Sequence, residues 1–137
     1  TSVFNLIPMV YRALTTGQRP QVFGDDYPTP DGSCIRDYIH VSDLADAHVA
    51  AAARCEGETV GTVYNVGRRQ GVSVIEVIDA VSAVLGRDAQ AQIAARRPGD
   101  PAQLVALVDK IQDELGWTAS KDLHDMVASA WEAWNYE

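Results

Sequence analysis

An α/β fold is predicted for this 137-residue chain by two features of its sequence. Short strand-like runs alternate with helical ones, and no linker, repeat or low-complexity tract divides them. The length is that of one domain able to bury its own core.

The elements follow in order. "FNLIPMVYRALTTGQ" places Leu6, Ile7, Val10, Tyr11 and Leu14 on one helical face, with Gly17 as the stop. "PQVFGDD" reads as a brief strand, and "PTPDG" supplies turn chemistry. "CIRDYIHV" is strand-like through Ile35, Tyr38, Ile39 and Val41. Ser42 or Asp43 is the expected cap of the alanine-rich helix "DLADAHVAAAARC". "TVYNVG" reads as a buried parallel strand closed by Gly67. Ser73 caps "SVIEVIDAVSAVLG", whose inward face is Val74, Val77, Ile78, Val81 and Leu85. "AQIAARRPGD" is a short strand running into a turn, and "DKIQDELGW" is a helix ended by Gly116. The last helix carries Leu123, Met126, Val127, Trp131 and Trp134.

Composition narrows the function. Apolar content of 47% and charged content of 22% are ordinary globular values. A net charge of -8 argues against nucleic acid as a partner, since phosphate-backbone binding needs a basic face. It leaves room for a small anion held by a few clustered arginines. No apolar run reaches the roughly 18 residues that a bilayer span needs. Cys34 and Cys55 have no metal-like spacing and read as reduced thiols, which suits a cytoplasmic location.

Several chemistries find no support. "VGRRQGVS" places Gly67 and Gly71 between strand and helix, but without the spacing of a dinucleotide-binding turn. A buried αβ turn is the better reading. There is no nucleophile elbow and no clustered metal-ligand set, so no metal site is expected. His40, His48 and His124 are scattered; His40 reads as a hydrogen-bonded structural residue and His48 as helix surface. "WEAWNYE" reads as core packing.

What remains is polar groups at the ends of elements. Arg36 leaves a turn-rich loop, and Arg96, Arg97 and Asp100 lie in "ARRPGDPA" around a Pro–Gly turn. Guanidinium groups fork onto phosphate oxygens, and an aspartate beside them can accept from a ribose hydroxyl. Singly, each arginine is more often a surface residue. On neighbouring loops after strands they point to an anionic nucleotide.

"NLIP", "QVFGDDYPTPDGSCIRDYIHVSDLADAH", "YNVG", "SVIEVI", "RRPGDPA" and "LGW" together resemble the C-terminal half of the UDP-glucose 4-epimerases. These belong to the extended short-chain dehydrogenase/reductase superfamily. The resemblance covers essentially the whole chain, and the stretch around Arg36 is its specific part. It implies a small mixed α/β substrate-binding domain over 1–137, plus a strand and helix ("TVYNVG" and the helix after it) belonging to a Rossmann sheet. The NAD-binding Rossmann portion, with its glycine-rich turn and Tyr-x-x-x-Lys pair, would be N-terminal and absent from this chain. None of Tyr11, Tyr27, Tyr38, Tyr64 and Tyr136 has a lysine four positions on. The chain alone is therefore expected to be inactive.

The same resemblance implies site residues. Asn5 and Leu6 would meet the ligand, and Gln21, Val22 and Phe23 would offer a strand edge to uracil. Arg36 and Arg97 would pair with the diphosphate, and Asp100 would accept from the ribose. Leu104 falls near the position that limits sugar size, where leucine is intermediate and leaves the sugar open. The implied reaction is UDP-glucose/UDP-galactose interconversion in galactose metabolism, through an NAD-dependent 4-keto intermediate. The intact enzyme would be a homodimer, with its interface mostly in the other half and no nucleic-acid or membrane partner. Alternatives stand beside it: another nucleotide-sugar epimerase or dehydratase, or a non-catalytic nucleotide-sugar-binding module.

Overall fold

A computed structural model of the chain describes residues 5–55 and 63–135. Five helices and five short strands follow one another: α1 (Leu6–Thr15), β1 (Gln21–Phe23), β2 (Ile35–Arg36), α2 (Val41–Arg54), β3 (Val72–Ser73), α3 (Val74–Leu85), β4 (Gln92–Ala94), β5 (Gln103–Leu104), α4 (Asp109–Leu115) and α5 (Leu123–Trp134). The mixed α/β class expected from the sequence is what forms.

The strands make two small sheets. β1 pairs with β4 in parallel, with Val22 opposite Ile93. β2 lies between β3, antiparallel, and β5, parallel, with Arg36 opposite both Val72 and Leu104.

The main core joins α1, α3 and α5 around Val10, Tyr11, Leu14, Val22, Ile78, Val81 and Val127. The apolar face read in "SVIEVIDAVSAVL" is the one that turns inward, and Val77 and Val81 are fully buried. Ser73 and Glu76 form a reciprocal capping box at the start of α3. Tyr11 is the hub. Its ring stacks on Trp131 at 5.2 Å between centroids, and its hydroxyl donates to the Val127 carbonyl over 2.5 Å. A second cluster packs Ala47 of α2 against Val108, Ile111 and Trp117, so the tryptophan of "LGW" is a core residue.

Three expectations change. "CIRDYIHV" yields only the two-residue strand Ile35–Arg36, because β5 supplies only Gln103 and Leu104 to pair with it. The cap of α2 is His40 and not Ser42 or Asp43: the Nδ1 atom of His40 accepts from the Ser42 amide at 3.0 Å. Asp43 instead lies buried, accepting from the Ser120 and Lys121 amides at 3.1 and 2.9 Å. Of "TVYNVG", residues 63–66 form no strand, and Thr62 is outside the described residues. A lone extended segment needs a neighbouring strand to become part of a sheet, and among the described residues it has none. The part expected to join a Rossmann sheet is therefore irregular here, with Val63 84% exposed.

Candidate functional site

A cleft of about 490 Å³ opens between α1, β1, the start of β2 and the turn after β4. Its volume lies within the range of small-molecule sites.

One wall is α1. Leu6, Met9, Val10 and Ala13 recur at helical spacing and line the cleft, with Arg12 at its outer side. A second wall is β1. The Gln92 amide donates to the Pro20 carbonyl at 2.8 Å, and the Gly24 amide to the Ala94 carbonyl at 2.9 Å. Backbone direction alternates along a strand, so Pro20, Val22 and Gly24 face β4. The backbone groups of Gln21 and Phe23 face the free edge of this two-stranded sheet. A planar amide-like base can pair with such an edge.

The polar end is built from two separate turns. After β4, Gly99 takes a left-handed φ of 80° and the Asp100 amide closes on the Arg97 carbonyl at 3.3 Å. This turn brings Arg97 and Asp100 to the cleft together. The Arg97 guanidinium lies over the Phe23 ring, 3.8 Å from its centroid, and makes no ion pair among the described residues. Arg36, arriving from β2, donates through Nη2 to Asp100 Oδ1 at 2.6 Å and through Nη1 to its neighbour's carbonyl at Ile35, 2.7 Å away. Arg96 turns away: its Nε donates to Asp26 Oδ1 at 2.5 Å, and its guanidinium covers the Tyr27 ring at 4.0 Å. Of two successive arginines, one fastens the loop and the other lines the cleft.

The loop between β1 and β2 is held from within. Asp31 Oδ1 accepts from the Ser33 amide and hydroxyl at 2.9 and 2.8 Å, and its second oxygen accepts from Ser73. Burial pushes the Asp31 carboxyl up, but these hydrogen bonds outweigh it and hold the group below its usual 3.8. Gly24 permits the sharp exit from β1, since a Cβ there would stand 2.6 Å from Arg96 Cγ at a φ of 89°.

The residues expected to bind are thus partly assembled. Leu6, Gln21, Val22, Phe23, Arg36, Arg97 and Asp100 line one cleft. Asn5 does not line it; it is the exposed N-cap residue of α1 and makes no side-chain cap bond. Leu104, 63% exposed, lines a neighbouring depression with Asn65, Val66 and Leu107, and Arg36 borders both. Met9, Cys34, Tyr38 and Val74 also line the main cleft, which the sequence does not lead one to expect of Cys34, Tyr38 or Val74. Met9 was legible, being one turn on from Leu6. Tyr38 lies in a strand-like run of the sequence, and burial raises its phenol above the usual 10.0.

Gly67 and Gly71 serve packing, as an αβ turn would. A Cβ on Gly67 would press on the Asp37 carboxylate at 2.5 Å, and one on Gly71 on Ile35 at 2.4 Å. Asp37 accepts from the Arg68, Arg69 and Ala106 amides, which leaves the turn no room for a phosphate. Asp122, His124 and Asp125 do gather at the surface, but the two carboxylates form the capping box of α5. Both cysteines are free thiols. Among the described residues no helix is long and apolar enough to cross a membrane.

Comparison with known proteins places this geometry among relatives. Residues 1–67 match the NAD dependent epimerase/dehydratase family. A UDP-glucose 4-epimerase of Azospirillum brasilense is 46% identical over 132 residues, which is 95% of this chain and 38% of the relative. One from Halalkalibacterium halodurans is 47% identical over 97% of this chain and 40% of its own. The solved UDP-glucose 4-epimerase of Stenotrophomonas maltophila, with bound NAD and formylated UDP-arabinopyranose, superimposes with a TM-score of 0.91 at 40% identity. That match covers 98% of this chain and 40% of the other. The Bifidobacterium longum enzyme, in complex with NAD+ and UDP, gives 0.85 at 44% identity over 96% and 40%. The chain therefore spans about two-fifths of the length of the relatives it matches.

Proposed function

From a chain homologous to UDP-glucose 4-epimerases over nearly its whole length, we propose that these residues are the nucleotide-holding portion of a UDP-hexose 4-epimerase. The observation that carries the reading is the meeting of Arg36 and Arg97, 61 residues apart in sequence (97 − 36), in one cleft beside a free strand edge. The uracil pairs with the backbone of Gln21 and Phe23, the diphosphate lies between the two guanidinium groups, and Asp100 faces the ribose. Leu104 stands where the sugar would leave this cleft for the depression beyond Arg36. Asn5 lies at the mouth of α1, next to Leu6.

The remainder of the reaction belongs to residues outside this chain. NAD, which the relatives' structures contain, supplies hydride acceptance and return when bound in the intact enzyme. Among the described residues no set fits it, since the glycine-bearing turn that precedes β3 and α3 is filled by Asp37. The present residues bind and orient. Epimerisation at C4 requires a 4-keto sugar to present both faces in turn, so the grip must fall on the carrier and not on the hexose. Binding energy placed on the non-reacting part leaves the reacting part free to turn. Each arginine–phosphate contact contributes roughly 1.5–3 kcal/mol to that grip.

In the intact protein carrying this chain, UDP-glucose should be converted to UDP-galactose in a coupled assay. Replacing Arg36 or Arg97 by alanine should raise KM by at least about tenfold. Turnover of UDP-glucose with unchanged KM in both variants would refute the assignment.

A further inference from the structure

We infer that Asp100 is the positioning residue of Arg36: its carboxylate holds the guanidinium so that the remaining donors face the diphosphate. The inference rests on the nucleotide reading above and gives Asp100 a role distinct from accepting a ribose hydroxyl.

The geometry is specific. A guanidinium has five N–H donors in a fixed plane. Arg36 spends one Nη1 donor on Ile35 and one Nη2 donor on Asp100, at 2.7 and 2.6 Å. Two partners on separate nitrogens fix the plane, leaving Nε–H and one hydrogen on each terminal nitrogen. Both side chains are largely shielded, at 23% and 30% exposure, so water competes weakly for the pair. The two residues are 64 apart in sequence. They meet because β2 and β5 run in parallel, Ile35 opposite Gln103, and the Ile35 amide bonds to Ala102 at 2.8 Å. Without such a brace a long arginine side chain must give up its rotamer freedom when it meets a ligand.

The arrangement divides the labour of one turn. Residues 97–100 deliver Arg97 as a cation with no ion pair among the described residues and Asp100 as the brace of the other cation. Electrostatics alone predicts the opposite of bracing, because a carboxylate near a diphosphate repels it. Asp100→Asn separates the two effects: the amide oxygen still accepts from ribose, the repulsion is gone, and the charged brace is lost.

The test measures dissociation constants of uridine and UDP by calorimetry in the protein carrying this chain. The proteins compared are the parent, Asp100→Asn, Arg36→Ala and the double variant. We expect Asp100→Asn to weaken UDP roughly tenfold, about 1.4 kcal/mol, while uridine changes by less than about twofold. In the Arg36→Ala background the weakening of UDP by Asp100→Asn should vanish or turn into a gain, since the brace acts through Arg36 and only the carboxylate's repulsion is then left to remove. Tighter UDP binding by Asp100→Asn with Arg36 in place, equal weakening of uridine and UDP, or an undiminished weakening without Arg36 would each overturn the inference. Far-ultraviolet circular dichroism checks the fold, and Asp100→Ser serves as a second variant should the first not fold. A parent protein that binds neither ligand overturns the nucleotide reading itself, a result distinguishable from all of these.

Discussion

At the scale of single residues, what each charged group is occupied with decides whether it is left for the cleft. Arg96 and Arg97 are adjacent and chemically identical, yet Arg96 is tied to Asp26 and Arg97 is not tied to any carboxylate described. Arg96→Ala should therefore loosen the loop and lower thermal stability while weakening UDP less than Arg97→Ala does; parallel titrations and melting curves compare the two. The sequence showed both arginines and could not say which lines the cleft, because that depends on Asp26, 70 residues away. Tyr11 offers a prediction in pH. Burial pushes its phenol up to about 12 from 10.0, so the folded state favours the neutral form. The stability this gives is fully present below pH 10 and falls as pH rises from 10 towards 12. Tyr11→Phe should flatten that alkaline decline, measured by denaturant midpoints at pH 9 to 12; an unchanged slope would contradict it.

At the scale of elements, helices were more legible than strands. The 3.6-residue spacing and the N-cap of α3 stand in the sequence; Ser73 caps that helix as expected, and Gly86 ends it. The strands are two or three residues long and exist by pairing with distant partners, so neither the shortness of β2 nor the irregular 63–66 was visible locally. His40 has the structural role its sequence position suggests, as the cap of α2, and its Nε2 also meets Ser129 of α5 at 2.9 Å. Ser73 ties an element to the site: it caps α3 and bonds to Asp31, which organises the loop before β2. Ser73→Ala should cost about 1 kcal/mol or more, beyond a helix cap alone. It should also raise the Asp31 carboxyl toward its usual value. Because that carboxyl lies below 3.8 when folded, its contribution is present above pH 3.8 and lost as pH falls through the lowered value. The parent should thus lose stability in acid more steeply than the variant.

At the scale of the molecule, the cleft sits at one side of a chain whose apolar surface is incompletely covered. Val41, Val63, Leu104 and Leu107 are each more than 60% exposed. Exposed apolar side chains in such number favour association, so the 137 residues expressed alone should self-associate in sedimentation at micromolar concentration. A sharp monomer would count against that. The order of sequence motifs carries the resemblance to UDP-glucose 4-epimerases, but the two-turn construction of the cleft's polar end emerged only from the β1–β4 and β2–β5 pairings. That construction is the central claim, and the ratio of uridine to UDP dissociation constants tests it most directly. The account predicts that UDP binds at least about tenfold tighter than uridine and that Arg36→Ala and Arg97→Ala each erode the difference. Equal affinities in the parent, or a ratio untouched by both substitutions, would contradict it.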